Sequence, residues 1–243
     1  MTSAKRPIVT LTTDFGAGSP YVAAIKAAVL RQCPDAVLVD IAHTVPAFNL
    51  RAAAFMLWAG TRHFGPAVHL AVVDPGVGTE RRALAVQLGE SYFVAPDNGL
   101  LTMVLAESRP LVPTSVVLKR PEDASATFEG RDVFAPAAGA LAAGHRLREM
   151  GEEAHGLARL RDSGPAVLWV DNFGNLVTSL RPPVMGVKVG PVTVARGVRT
   201  YGEARRGDLF FYTGSMGLVE IGVREGRADV LLQAGPGTAV AAV

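Results

Sequence analysis

The sequence predicts an α/β N-terminal domain with a mostly parallel sheet, followed by a small antiparallel β-barrel-like C-terminal domain. Three observations carry this. Short apolar runs alternate with helix-patterned segments through the first half, as in a parallel sheet covered by helices. A polar stretch from Arg159 to Pro165 ends in Ser-Gly-Pro. Beyond it, short β-type runs are separated by glycines and lack a long helical period. The two domains are therefore placed at residues 1–160 and 165–243.

Each element has a local reason. Ile8 to Thr13 is an apolar and β-branched run that reads as a buried strand. Ser19-Pro20 supplies an N-cap and a proline at the first helical position. Tyr21, Val22, Ile25, Val29 and Leu30 follow at helical spacing, and Pro34 stops that helix. Ala36 to Ile41 is a second strand, Ala47 to Phe64 a second helix and Val68 to Val73 a third strand. Ala83 to Leu88 and Ser91 to Ala95 flank Gly89-Glu90 and read as a hairpin. Leu100 to Glu107 is helical, Ser115 to Leu118 a strand, and Asp132 to Ala143 an Ala-rich helix with Pro136 in its first turn. In the second domain, β-type runs cover Ala166 to Val170, Leu176 to Ser179, Val192 to Ala195, Leu209 to Tyr212, Leu218 to Val223 and Val230 to Leu232.

Composition narrows the function classes. The chain has 243 residues, 49% of them hydrophobic and 19% charged, so a well-packed core is expected and disorder is not. Cys33 is the single cysteine, which excludes an intrachain disulfide framework and a multi-cysteine zinc site. The net charge is +2 and no long basic run appears, so no nucleic-acid partner is expected. Met1 to Arg6 is polar, and the first apolar run is too short for a signal-peptide core or a membrane span. A cytoplasmic location without membrane attachment is the default expectation.

Polar residues gather where strands end. Asp14 follows the first strand, Asp40 and His43 the second, Asp74 the third, and Asp97 and Asn98 a later one. Ligands of open α/β sheets bind outside the carboxyl ends of the strands. A strand-end aspartate can equally cap the turn that follows it. Asp74-Pro-Gly-Val-Gly-Thr-Glu-Arg81 resembles a dinucleotide fingerprint but has Arg81 in place of the third glycine and a β-like segment after it. A nucleotide site of that kind is rejected. The loop instead brings Asp74 and Arg81 together, as a functional pair or as a plain salt bridge. None of the five histidines has a partner at zinc-ligand spacing, and neither G-x-S-x-G nor a P-loop lysine is present.

Six segments, taken in order, resemble one family. They are Thr12-Thr-Asp-Phe-Gly16, Val73-Asp-Pro-Gly-Val-Gly78, Pro96-Asp-Asn-Gly99, Thr127-Phe-Glu-Gly-Arg-Asp132, Asp171-Asn-Phe-Gly-Asn175 and Ser215-Met-Gly-Leu-Val-Glu220. The chain is similar over nearly its whole length to the S-adenosylmethionine (SAM) hydroxide adenosyltransferase, or SAM hydrolase, family, which is related to the SAM-dependent fluorinase and chlorinase. The resemblance implies an α/β domain and a C-terminal β-barrel. It also implies a homotrimer with active sites between the N-terminal domain of one subunit and the C-terminal domain of the next. The implied reaction converts SAM and water to adenosine and L-methionine, without metal or other cofactor.

The family's hydrolase branch implies an Asp-Arg-His set that generates the nucleophile. The matching positions here are Asp74, Arg81 and Glu129. Asp74 separates the chain from the halogenases, which carry tyrosine at the matching position. Glu129 replaces the usual histidine and is expected to act as a substitute base, or else to order water or Arg81. Ser19 stands where the family often has an acid. By the same resemblance, Asp14 holds the ribose hydroxyls and Phe48 contacts the nucleoside. Asp171 and Ser215 hold the methionine end, Phe173 and Asn175 belong to the adenine-side loop, and Tyr201, Glu220 and Val223 approach the ligand. The alternatives are a non-catalytic adenosine or SAM binding protein, a halide-dependent SAM adenosyltransferase, and a metal-dependent hydrolase built on the strand-end acids.

Overall fold

A computed structural model describes residues 6–108 and 110–243. The polar stretch from Met1 lies outside the described residues up to residue 5. The chain divides into two compact units, the first ending at Leu160 and the second running Arg161–Val243.

The first unit is built on a seven-stranded sheet. Its strands are β1 Ile8–Thr13, β2 Val37–Ala42, β3 Val68–Val72, β4 Ala83–Leu88, β5 Ser91–Pro96, β6 Thr114–Leu118 and β7 Gly151–Glu153, in the order β2-β1-β3-β5-β4-β6-β7. The sheet is mixed. β2, β1, β3 and β5 run parallel, and from β5 onward each neighbour is antiparallel. The change falls at the β4–β5 hairpin, where Gly89 takes the left-handed conformation at φ 60°. Thus the strand-helix alternation marks the parallel half only.

Helix α1, Pro20–Gln32, opens with the Ser19 hydroxyl accepting from the Tyr21 amide at 3.3 Å. It packs against α4, Ala135–Ala142, over a core that includes Leu11, Ile25, Val29, Leu70 and Phe134. Helix α2, Leu50–Thr61, is shorter than the 47–64 expected. Phe48 sits at φ 63°, outside the helical region, and the Asn49 side chain caps the Ala52 amide at 3.0 Å. Helix α3 covers Thr102–Glu107. The Ala-rich helix also differs from expectation. Residues Gly130–Phe134 form a π-helical turn in which the Ala135 amide reaches back to the Gly130 carbonyl, and α4 begins only after it.

The second unit has two antiparallel sheets. β8 Val167–Val170, β9 Leu176–Thr178, β12 Leu209–Thr213 and β13 Val219–Val223 form one, ordered β12-β13-β9-β8. β10 Val187–Val189, β11 Val192–Val194 and β14 Val240–Ala242 form the other, ordered β11-β10-β14. Isolated bridges at Ala166–Ala239 and Gly197–Phe211 tie the two sheets together. One expectation is corrected: Val230 to Leu232 is not a strand but part of helix α5, Ala228–Leu232. Its Val230 and Leu231 both face outward, a pattern no half-buried strand gives, while Ala228 is the buried anchor. Among the described residues, no helix is long and apolar enough to cross a membrane.

One core residue makes a stability prediction. His69, on β3, is buried, with Nδ1 2.9 Å from the Thr10 hydroxyl and the Phe93 ring tilted against it. Burial lowers its pKa from 6.5 to about 4. The folded state therefore holds it neutral. Its contribution is fully present above pH 6.5 and is lost as the pH falls towards 4. Acidification from neutrality to pH ~4.5 should cost about 2–3 kcal/mol at this residue. Urea melts of the native chain and of His69→Gln check this. The variant should lose less stability over the same interval, and parallel curves would refute the assignment.

Candidate active site

In the first unit, chain direction gathers the acids. β1 delivers Asp14 and β3 delivers Asp74 at their carboxyl ends. The loop after Asp74 turns back so that Arg81 precedes β4. Its Asp74 carboxylate takes the Gly76 amide at 3.2 Å, and Thr79 donates to the Gly76 carbonyl at 2.7 Å. Gly78 is required twice over. Its φ is +76°, and a Cβ there would stand 2.6 Å from the Ala126 carbonyl oxygen. The loop is thereby pressed onto the segment that leads to Glu129, the residue just before the π turn.

Asp74, Arg81 and Glu129 meet. Arg81 Nε donates to Asp74 Oδ1 at 3.0 Å, and Nη2 contacts both Asp74 Oδ2 and Glu129 Oε2. The carboxylate side chains are each 5% exposed and the guanidinium 9%, with the Phe134 ring beneath it. Burial alone would lower the Arg81 pKa. The hydrogen bonds and charges of Asp74 and Glu129 outweigh it and hold the guanidinium above its ordinary value. A residue missed in the sequence completes the group. Arg120 Nε lies 2.8 Å from Glu129 Oε1, and its Nη2 donates to the Arg81 carbonyl at 2.6 Å. Two acids and two guanidiniums balance in charge, so the network, buried except at the exposed side of Arg120, has little net field of its own.

The cluster borders a cavity of about 270 Å³ whose lining includes Asp14, Phe15, Tyr21, Phe48, Asp74 and Glu129. Asp14 Oδ2 accepts from the Phe48 amide at 3.1 Å. That bond anchors the left-handed turn at Phe48, whose ring is 68% exposed. Phe15, Tyr21 and Phe128 form an edge-to-face aromatic cluster on the same wall. The other strand-end residues are structural. Asp40 pairs with Lys26 at 2.7 Å and His43 at 3.1 Å, and His43 in turn meets the Thr13 hydroxyl at 2.8 Å. Asp97 binds Arg82 at 2.8 Å and the Ala158 amide at 2.8 Å, and Asn98 donates to the Val73 carbonyl at 2.9 Å. Among the described residues, no group of three or more His, Cys, Asp or Glu side chains is arranged to hold a metal ion.

The second unit has its own cavity, of about 550 Å³, lined by Phe173, Asn175, Tyr201, Val223, Glu225, Gly226 and Arg227. Four of the residues expected in this half line it. Asp171 stands behind the loop, with Oδ1 accepting from the Phe173 and Asn175 amides at 2.9 and 2.8 Å. Glu220 is buried beneath the cavity, its Oε2 accepting from the Tyr212 hydroxyl at 2.6 Å. Burial raises the Glu220 pKa, with the Tyr212 bond opposing. Burial likewise pushes the Tyr201 and Tyr212 phenols up. Ser215 is exposed and is not among the lining residues. Sequence pattern alone does not mark Tyr212 or Arg227. Tyr212 lies in an apolar strand and reads there as core.

Comparison with known proteins agrees across both units. The family model for the SAM hydroxide adenosyltransferase N-terminal domain matches residues 9–151, and that for the C-terminal domain of the same family matches residues 165–241. The chain is 43% identical to an (R)-S-adenosyl-L-methionine hydrolase of Thermus thermophilus, covering 92% of this chain and 94% of that protein. It is 37% identical to one of Salinispora tropica, covering 96% and 97%. A fluorinase of Actinopolyspora mzabensis is more distant, at 28% over 73% of each chain. Among solved structures, an uncharacterized conserved protein of Thermotoga maritima superposes with a TM-score of 0.86 at 34% identity, covering 96% of this chain and 98% of that one. A conserved hypothetical protein of Thermus thermophilus gives 0.82 at 41% identity, covering 98% and 100%.

Proposed function

The chain belongs to the SAM hydroxide adenosyltransferase family, and from that premise we propose that it hydrolyses S-adenosyl-L-methionine to adenosine and L-methionine. The observation that carries the reading is the buried Asp74–Arg81–Glu129 group beside a cavity lined by Asp14 and Phe48. The substrate is a sulfonium, so methionine leaves as a neutral thioether. The protein's task is to hold a water in line with C5′ and to receive its proton. The water oxygen bonds to C5′, the C5′–S bond breaks with its electron pair going to sulfur, and the proton passes to a carboxylate.

Lone pairs assign the two acids. An ionised carboxylate has about four acceptor sites. Asp74 has three taken, by Arg81 Nε, Arg81 Nη2 and the Gly76 amide. Glu129 has two taken, by Arg81 and Arg120. Glu129 keeps more room for a water and takes the proton. Asp74 aims Arg81, whose fixed charge steadies the developing hydroxide. Asp14 holds the ribose hydroxyls and Phe48 stacks on the nucleoside. In the second unit, Asp171 and Ser215 serve the methionine end and Phe173 and Asn175 the adenine. Tyr201, Glu220 and Val223 approach the ligand. We extend the reading to a homotrimer, in which each site pairs one subunit's first unit with the next subunit's second. The second unit is read as a small barrel, which the two inter-sheet bridges support. No metal or cofactor enters the step.

The test is incubation of the purified protein with each sulfonium epimer of SAM, without halide and with chelator, followed by chromatography. Stoichiometric adenosine and methionine are expected, and Asp74→Ala should abolish both. The relatives' names specify the (R) epimer, which is the epimer expected to react. Intact SAM beside a saturable binding isotherm would mark a binding protein instead. A requirement for halide would mark an adenosyl transfer to halide.

A further inference from the structure

The second unit contains a chain of hydrogen bonds whose direction can be worked out proton by proton. Tyr212 donates to Glu220 Oε2 at 2.6 Å. The Tyr201 and Tyr212 hydroxyl oxygens are 2.5 Å apart. Asn175 Nδ2 donates to the Tyr201 oxygen at 3.2 Å and to Asp171 Oδ2 at 2.7 Å. A phenol carries one proton. The Tyr212 proton is committed to Glu220, so the bond between the two tyrosines must use the proton of Tyr201. Towards its other neighbours the Tyr201 oxygen is then an acceptor only, and it accepts from Asn175.

The consequence for Asn175 is a fixed amide. Its Nδ2 lies between two acceptors, the Asp171 carboxylate and the Tyr201 oxygen. Turning the amide over would set Oδ1 against both, an acceptor facing two acceptors. Oδ1 is therefore the polar edge left over. It lies over Gly222, where a Cβ would come within 2.7 Å of it. Arg227, which also lines the cavity, directs its guanidinium to Asp229 at 2.8 and 3.1 Å and to the Asn172 carbonyl at 3.0 Å. Both hydroxyl protons run inward towards Glu220, and the two Asn175 amide protons go to Tyr201 and Asp171. Asn175 and Tyr201 are left with lone pairs and no proton to give.

We propose that Tyr212 is a positioning residue for specificity: through Glu220 on one side and Tyr201 on the other, it holds Asn175 and Tyr201 as an acceptor wall that selects a ligand N–H donor. This rests on the functional reading above, under which the donor is the exocyclic amino group of the adenine ring. A purine with a carbonyl in that place would meet acceptor against acceptor. The relay thus rejects it more strongly than the loss of one hydrogen bond would.

The test uses the full-length chain, calorimetry, and two nucleosides: adenosine, and inosine, which has the carbonyl. The unmodified protein should prefer adenosine by on the order of 100-fold. Tyr212→Phe deletes one hydroxyl and frees the Tyr201 proton, so that Tyr201 can present a donor where it had presented an acceptor, while Asp171 still holds the Asn175 amide. The preference should fall to about tenfold or less, chiefly through weaker adenosine binding. Glu220→Gln, which can donate to Tyr212 and so reverse the relay, should also lower the ratio, and it stands in should Tyr212→Phe fail to fold. A ratio unchanged in a folded variant, with both affinities lowered together, would leave Tyr212 a merely structural role and overturn the proposal. So would an unmodified protein that binds both nucleosides equally. A protein that binds neither nucleoside and leaves SAM intact would remove the functional reading and this inference together. SAM turnover with an unmoved ratio would remove the relay alone.

Discussion

Replacing Arg81 with methionine is expected to lower turnover on the order of 10²–10³-fold and to cost roughly 3–5 kcal/mol of stability. Both effects have one cause. The guanidinium is forked between Asp74 and Glu129, and all three side chains are almost fully withdrawn from water. Without it, two buried carboxylates share a site with only Arg120 to answer them, and Arg120 reaches Glu129 alone. Removing one partner of a buried pair leaves the other charge uncompensated, which costs far more than the intact pair gains. Arg81→Lys separates the two effects. It restores the charge but presents one ammonium in place of a planar fork, so it should recover stability better than turnover. Urea melts and product chromatography on the same preparations read both quantities. Full turnover in the methionine variant would remove Arg81 from the chemistry, and full turnover in the lysine variant would reduce its part to charge alone.

Glu129→Ala is expected to reduce kcat by about 10²–10⁴-fold, the range that a positioned general base supplies. KM should change little, because Glu129 stands with the catalytic cluster and Asp14 and Phe48 supply the nucleoside contacts. The truncation leaves space beside two guanidiniums, a natural seat for a small carboxylate. Added formate should therefore restore part of the rate. An alanine variant with full turnover would confine Glu129 to ordering Arg81 and pass the proton to Asp74. A slow variant indifferent to formate would point the same way.

What the sequence reveals here follows from how far each interaction reaches. Asp14 and Asp74 are readable because strand ends are readable, and the carboxyl ends of parallel strands converge. Arg81 is readable because the glycines before it demand a tight loop. Arg120 is not. It follows β6 in a stretch without pattern, and only the folded sheet brings it to Glu129, nine residues on, and to the Arg81 carbonyl. Tyr212 is hidden for another reason: an aromatic residue in an apolar strand looks like packing, and its hydroxyl finds Glu220 and Tyr201 only through the β12–β13 pairing and the adjoining loop. Short elements mislead as well. Val230 to Leu232 is three apolar residues, too few to show a period, and its helix is set by Ala228 and the Arg227–Asp229 pair. The three-residue strands β10 and β14 have the same brevity.

The π-helical turn at Gly130–Phe134 bears on how this site tolerates insertion and deletion. Such a turn is an α-helix that carries one residue too many. Excising one residue would let the segment close into regular α-helix, continuous with α4. Everything before the excision would then rotate by about 100° about the helix axis, the angle one residue subtends. Glu129 would swing away from Arg81, although the excised residue need be none of those in the charge network. Copying errors that change length by a single codon are thus far more damaging here than most exchanges of one side chain for another. Lineages that keep the chemistry must keep the phase of this turn.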